Sequence, residues 1–178
     1  MSYSVMFFAV DTDAVKATFA SNARETLDAV LASQSEDIQD HDESWVDDYD
    51  DGEFLTTPEA LRQIFSGAVT CPDGMEFQFG YAFKYLCQHL GQLVPGSAEI
   101  YDTRKLGFNS SLFQNGAPIP IPVNAGDFPE IGHLTSDAVS TELAAAQAVA
   151  NPSEDLALYI SVLQHAKESG AGIIAFRH

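Results

Sequence analysis

Short apolar runs stand at both ends of the chain, with helical spacing between them. Ser2–Val10 is apolar from Tyr3 onward and meets acid at Asp11, which predicts a buried strand. Thr12 is placed to cap a short helix carrying Val15 and Phe19. Asn22, with Glu25 three residues on, has the form of a capping box opening a second helix, with Leu27, Val30 and Leu31 on one face. Thr57-Pro58 opens the next helix. Thr57 caps it, proline at the first helical position loses no hydrogen bond, Leu61, Ile64 and Phe65 form the inward stripe, and Gly67 ends it. The strongest pattern spans Phe77–Leu90. Phe79, Ala82, Phe83, Leu86 and Leu90 share one face of about 100°, and Gln78, Tyr81, Tyr85 and His89 share a second, before Gly91 stops the helix.

From Val94 to Asp127 the chain is rich in Gly, Pro and Asn. Glu99–Tyr101 reads as a short strand, and Pro118–Pro122, alternating proline with isoleucine, as an extended edge or crossing loop, since proline cannot donate to a ladder. Asp127–Gly132 reads as a structured turn. Ser136 caps a helix running to Ala150, which Asn151-Pro152 breaks. Ser153, with Glu154 and Asp155 behind it, opens the last helix on a stripe of Leu156, Tyr159, Ile160 and Leu163, closed by Gly170. Gly172–Phe176 is a terminal buried strand. The expected architecture is a small central sheet including the N- and C-terminal strands, covered by five or six helices in layers: α/β, with α+β not excluded. No repeat or linker divides the chain, so residues 1–178 read as a single domain.

Charge changes this picture in one place. Of the 178 residues, 26 are Asp or Glu against 8 Lys or Arg, a net −18. Ten of those acids lie in the 18 residues from Glu36 to Glu53, with no Lys or Arg among them. Like charges that close repel, so residues 36–53 are expected to be a solvated acidic loop. The loop also holds Trp45, the only tryptophan, and Tyr49, which a purely solubilising role leaves unexplained.

Such acidity argues against nucleic acid and against an anionic membrane surface, because both need Lys and Arg. No run approaches the roughly 20 apolar residues of a membrane span, and the N-terminus has no basic region of a signal peptide, so a cytoplasmic protein is expected. Cys71 and Cys87 are then expected to be reduced and buried. With no CxxC, no HExxH and no phosphate-binding glycine loop, no metal and no cofactor is expected. A calcium loop fails as well: Asp47, Asp51 and Gly52 match positions 1, 5 and 6, but Tyr49 and Pro58 stand where oxygen ligands belong.

Several segments together carry a resemblance: the N-terminal Met1–Val5, Tyr81–Gly91, Gly116–Pro120, Asp127–Gly132 and Ala175–His178. They resemble a group of uncharacterised bacterial proteins known as a domain of unknown function. More loosely, the strand-first, strand-last plan is similar to the YfbM-like family. The resemblance implies a compact bacterial domain with a layered α/β fold and carries over no activity or catalytic residue. The acidic segment lies outside its pattern.

Two functions from different classes follow. The first is a non-enzymatic acidic protein-binding domain that docks a basic partner through Trp45, Asp47, Asp48, Tyr49, Asp50 and Asp51, with charge steering the encounter. Proteins that neutralise a basic toxin, or mimic nucleic acid, offer the analogy. The alternative is a small-ligand protein or enzyme. Tyr81, Tyr85 and His89 recur every fourth residue and line one strip, which Asp127 and His133 could meet to form a polar pocket. Cys87 and His89 cannot touch directly as a nucleophile pair, since residues two apart on a helix point away from each other, and His133 could serve Cys87 instead.

Overall fold

A computed structural model describes residues 4–49, 54–96, 100, 106–123 and 128–178. Among these, four strands form one sheet in the order β2-β1-β4-β3, all neighbours antiparallel. They are β1 (Val5–Val10), β2 (Gln92–Leu93), β3 (Glu130–Leu134) and β4 (Gly172–Arg177). The two terminal strands are the central pair, from Val5 opposite Arg177 to Val10 opposite Gly172. Of the expected strands, Ser2 and Tyr3 lie outside the described residues, as do Glu99 and Tyr101.

Seven α-helices are described, one or two more than expected: α1 (Thr12–Thr18), α2 (Arg24–Ser33), α3 (Ser35–Glu43), α4 (Thr57–Ser66), α5 (Glu76–Leu90), α6 (Ser136–Gln147) and α7 (Glu154–Glu168). They cover both sheet faces in a layered α/β fold. Strand alternation sorts the two cores. Phe8 and Val10 of β1 and Ile174 and Phe176 of β4 pack with α1–α5, where Val15, Val30, Ile64, Phe79, Phe83 and Leu86 are fully buried. Val5, Phe7 and Ala9, with Ile173 and Ala175, pack with α6 and α7 through Val139, Leu156, Tyr159 and Leu163.

Several local expectations change. The segment expected to be a solvated acidic loop folds as α3 and then a 3-10 turn at Val46–Asp48; Asp50, Asp51, Gly52 and Glu53 lie outside the described residues. Repulsion is outweighed because Ile38 reaches the core, and Glu36 and Asp37 sit in the first turn, where the helix dipole favours acid. Asp11, not Thr12, caps α1 and accepts from the Asp13 and Ala14 N–H groups. Asn22 does not cap α2. It takes a left-handed φ of 53°, and its N–H satisfies the Phe65 carbonyl at the end of α4. Thr135 replaces Ser136 as the cap of α6, whereas Ser153 caps α7 as expected. The turn expected at Asp127–Gly132 is in part strand, because Glu130, Ile131 and Gly132 pair with β4.

Candidate functional site

The first candidate surface is α3 and the turn after it. Asp42 is half-buried and committed, accepting the Thr57 N–H at 3.1 Å and the Thr57 hydroxyl at 2.6 Å. Glu36, Asp37, Asp40 and Glu43 stay exposed, as do Asp47 and Asp48. Gln39 donates to Glu43 one turn on, at 2.7 Å. Trp45 is 37% exposed with its ring centroid 5.0 Å from that of Phe77, and Val46 beside it is 44% exposed. Tyr49 is turned inward onto Phe54 and is half-buried. Between α2, α3 and α4 lies a groove of about 390 Å³ with apolar Leu31, Ile38 and Pro58, and with Asp42, Glu43 and Arg62 also lining it.

The second candidate is the tyrosine strip of α5. Tyr81 and Tyr85 do lie one turn apart, but their ring partner is His41 of α3, not His89. The His41 centroid is 4.1 Å from Tyr81 and 6.2 Å from Tyr85. His41 Nε2 meets Gln78 Oε1 at 3.0 Å, and the Tyr85 hydroxyl donates to the Asp37 carbonyl at 3.0 Å. Lys84 Nζ stands 5.0 and 5.1 Å from the two tyrosine rings, and His178 lies 5.5 Å from Tyr81. The strip therefore clamps α3 and the C-terminus to α5, and its rings fill the space between them.

Burial sets the proton affinities here. It lowers His41 against the opposing pull of the Gln78 hydrogen bond and of Asp42. It lowers His178 to about 4, helped by Lys84 and His41 nearby. It raises both tyrosines, with Asp37 adding to the effect at Tyr85. Two neutral imidazoles and two protonated phenols result, an arrangement suited to packing.

The remaining residues of the expected pocket are dispersed. His89 Nδ1 lies 2.8 Å from the Ser33 hydroxyl of α2. His133 sits on β3, and its Nδ1–H donates to the Gly116 carbonyl at 2.8 Å. Asp127 lies outside the described residues. Cys87 is fully buried and Cys71 half-buried, both as free thiols, so Cys71 is less enclosed than expected. No group of three His, Cys, Asp or Glu among the described residues is placed to hold a metal, and no described helix is long and apolar enough to cross a membrane.

Against this geometry, a family model described as Domain of unknown function (DUF7691) matches residues 1–178. The chain belongs to this family. No curated protein and no solved structure matches it. In this DUF7691 chain the site thus rests on its own chemistry. No spacing along the chain points to His41, whose partners come from another helix, or to His178, brought in by strand pairing. Gln78 carried a signal: a polar residue on the strip's face, fully buried, with its Nε2 unpartnered among the described residues.

Proposed function

We propose that this DUF7691 protein is a non-enzymatic binding protein that docks a basic protein partner on the acidic face of α3. The observation that carries the reading is the run of exposed acids along α3 and the turn after it, with exposed apolar side chains in the same segment. Glu36, Asp40, Glu43, Asp47 and Asp48 are exposed together, Trp45 and Val46 are exposed among them, and the Leu31–Ile38–Pro58 groove opens alongside. Acids supply long-range steering, and an aromatic with an apolar groove supplies the desolvated anchor that charge alone lacks. Asp50 and Asp51 extend the same charge in sequence, and Tyr49, packed on Phe54, acts as support. The packing of the tyrosine strip on α3 and the C-terminus favours this reading over the enzyme.

The reading fits a single cytoplasmic bacterial domain of the YfbM-like kind. By analogy it fits an immunity-like or nucleic-acid-mimicking role, in which a compact acidic protein covers a basic surface. The test uses the full chain as bait and then kinetics with the captured partner. Replacing Asp47, Asp48, Asp50 and Asp51 with Asn should slow association several-fold at low salt, and wild-type association should slow as salt rises. Unchanged association in the variant, together with salt-independent association in the wild type, would reduce the segment to a solubilising surface.

A further inference from the structure

α2 packs against α4, with α3 against both, and two depressions follow the seam between them. The larger, the groove of about 390 Å³, has Leu31, Ile38 and Pro58 for its apolar lining. The smaller, about 130 Å³, lies between the start of α2 and the end of α4, with Leu27 and Phe65 in its lining. Pro58, Arg62 and Ser66 recur every fourth residue on α4, so they share one face and span about 12 Å of helix. Arg62 lines both depressions, which are thus successive stations beside that face.

Four charged side chains line these depressions, and two of them are committed. Asp42 holds Thr57, and Arg24 stands 3.7 Å from Asp28 one turn on. Glu43 is exposed, and its one bond among the described residues comes from the neutral Gln39 amide. Arg62 is exposed and makes no hydrogen bond or ion pair among the described residues. The two open charges are therefore ordered along the seam. Glu43 stands where Asp42 ties the end of α3 to the start of α4, and the Arg62 guanidinium stands on the next turn of α4.

We infer that the groove receives an amphipathic helix of the basic partner, which sets a Lys or Arg on Glu43, a large apolar side chain over Leu31, Ile38 and Pro58, and a carboxylate on Arg62. This rests on the α3 docking reading and adds the element by which the partner is held. The walls are helices, so an extended segment finds no sheet edge to pair with, whereas a helix enters such a groove by side chains three and four residues apart. Covering Arg62 with an apolar or basic surface would leave its charge desolvated and unpaired, which is why a carboxylate belongs there. An apolar side chain one or two turns further on reaches Leu27 and Phe65, where the smaller volume suits Ala or Val. A second copy of this chain carries the same −18 and is repelled, so the occupant is a different protein.

The test titrates the full chain with a synthetic helical peptide of about 15 residues, bearing one Leu stripe, Lys at one end and Glu past its middle, and follows amide NMR shifts. One control has the same composition with the Leu residues scattered around the helix; the other keeps the stripe and carries Lys in place of Glu. Saturable shifts in α2, α3 and α4, with the scattered control at least about tenfold weaker, would support the inference. A nitroxide on the Lys end should broaden Gln39 and Glu43 more than Leu27 and Ser66. Arg62→Glu should weaken the first peptide and tighten the all-Lys one. Ser35→Trp, at an exposed position lining the groove, should weaken both striped peptides at least about tenfold. The inference is overturned by no saturable shift up to about 1 mM peptide, by equal affinity for the scattered control, by stronger broadening at the Leu27 end, or by an Arg62→Glu effect alike for both striped peptides. Where a captured partner associates more slowly with the asparagine variant yet keeps its off-rate in Ser35→Trp, the docking reading stands and this inference falls.

Discussion

The Asp42 carboxylate holds the first turn of α4 from a different helix, accepting both the N–H and the hydroxyl of Thr57. Thr57 is the first residue of α4, and the side chain of its N-cap, Thr56, makes no capping bond. Asp42 thus satisfies an otherwise orphaned donor and places negative charge at a helix N-terminus. Asp42→Ala should cost about 1–3 kcal/mol, the range for leaving buried donors unpaired, whereas Asp42→Asn keeps an acceptor and should cost less. Urea unfolding of both, with Thr57→Val to complete a double-mutant cycle, measures the coupling. Thr57→Val keeps the backbone N–H, so the cycle isolates the hydroxyl, and a purely additive cycle would show that the Thr57 hydroxyl does not couple α4 to Asp42.

The two terminal strands share one core with α5. The Phe176 ring centroid lies 5.8 Å from both Phe8 and Phe83. Phe83→Ala should therefore cost about 3–5 kcal/mol, against a total stability of about 5–15 kcal/mol for a typical protein. Truncation after Gly170 removes β4, the strand between β1 and β3, and should abolish cooperative unfolding. A truncated chain with an unchanged melting temperature would contradict the sheet order.

Acid should loosen the strip between α3, α5 and the C-terminus. His41 and His178 both bind protons less readily when folded than at the ordinary value of 6.5, with His178 falling to about 4. Below 6.5 the unfolded chain takes up protons that the folded chain resists, so this contribution is complete above 6.5 and is lost as pH falls toward 4. Lys84 and the two imidazoles repel one another when charged, while Asp42 partly offsets this at His41. Urea midpoints across this window should fall less steeply for His178→Gln than for wild type. Parallel pH profiles would show that His178 is not the group responsible.

How much was legible in advance depends on where each residue finds its partners. Val5–Val10 and Gly172–Phe176 carry their burial in their own composition, and α5 carries its stripe in its spacing, so these read correctly. α3 did not, because Ile38 is its only buried side chain and one apolar residue makes no period. β3 was hidden by Pro129 and Gly132, turn residues whose roles come from neighbours: Gly132 admits the Leu112 carbonyl. Spacing correctly placed Tyr81 beside Tyr85. It could not say that α3 would supply His41, or that the next turn would hand His89 to Ser33. The Glu142–Tyr159 pair joins two helices that were each foreseen, but their register was not.

Trp45 separates anchoring from steering on the proposed docking face. Its ring packs on Phe77 yet stays 37% exposed, so it is held in place with one side available to a partner. Trp45→Ala should change stability little, since a half-exposed side chain loses only part of the roughly 1.5–3 kcal/mol of a fully buried one. Its effect on binding should be a faster off-rate that persists at high salt, because apolar contact is not screened. Neutralising Asp47 and Asp48 should instead slow the on-rate, and that difference should vanish as salt rises. As the only tryptophan, Trp45 also reports binding by its own fluorescence. If a basic partner associates with no change in that fluorescence and with an unchanged off-rate for Trp45→Ala, the anchor lies elsewhere. The apolar groove of Leu31, Ile38 and Pro58 is then the next surface to substitute.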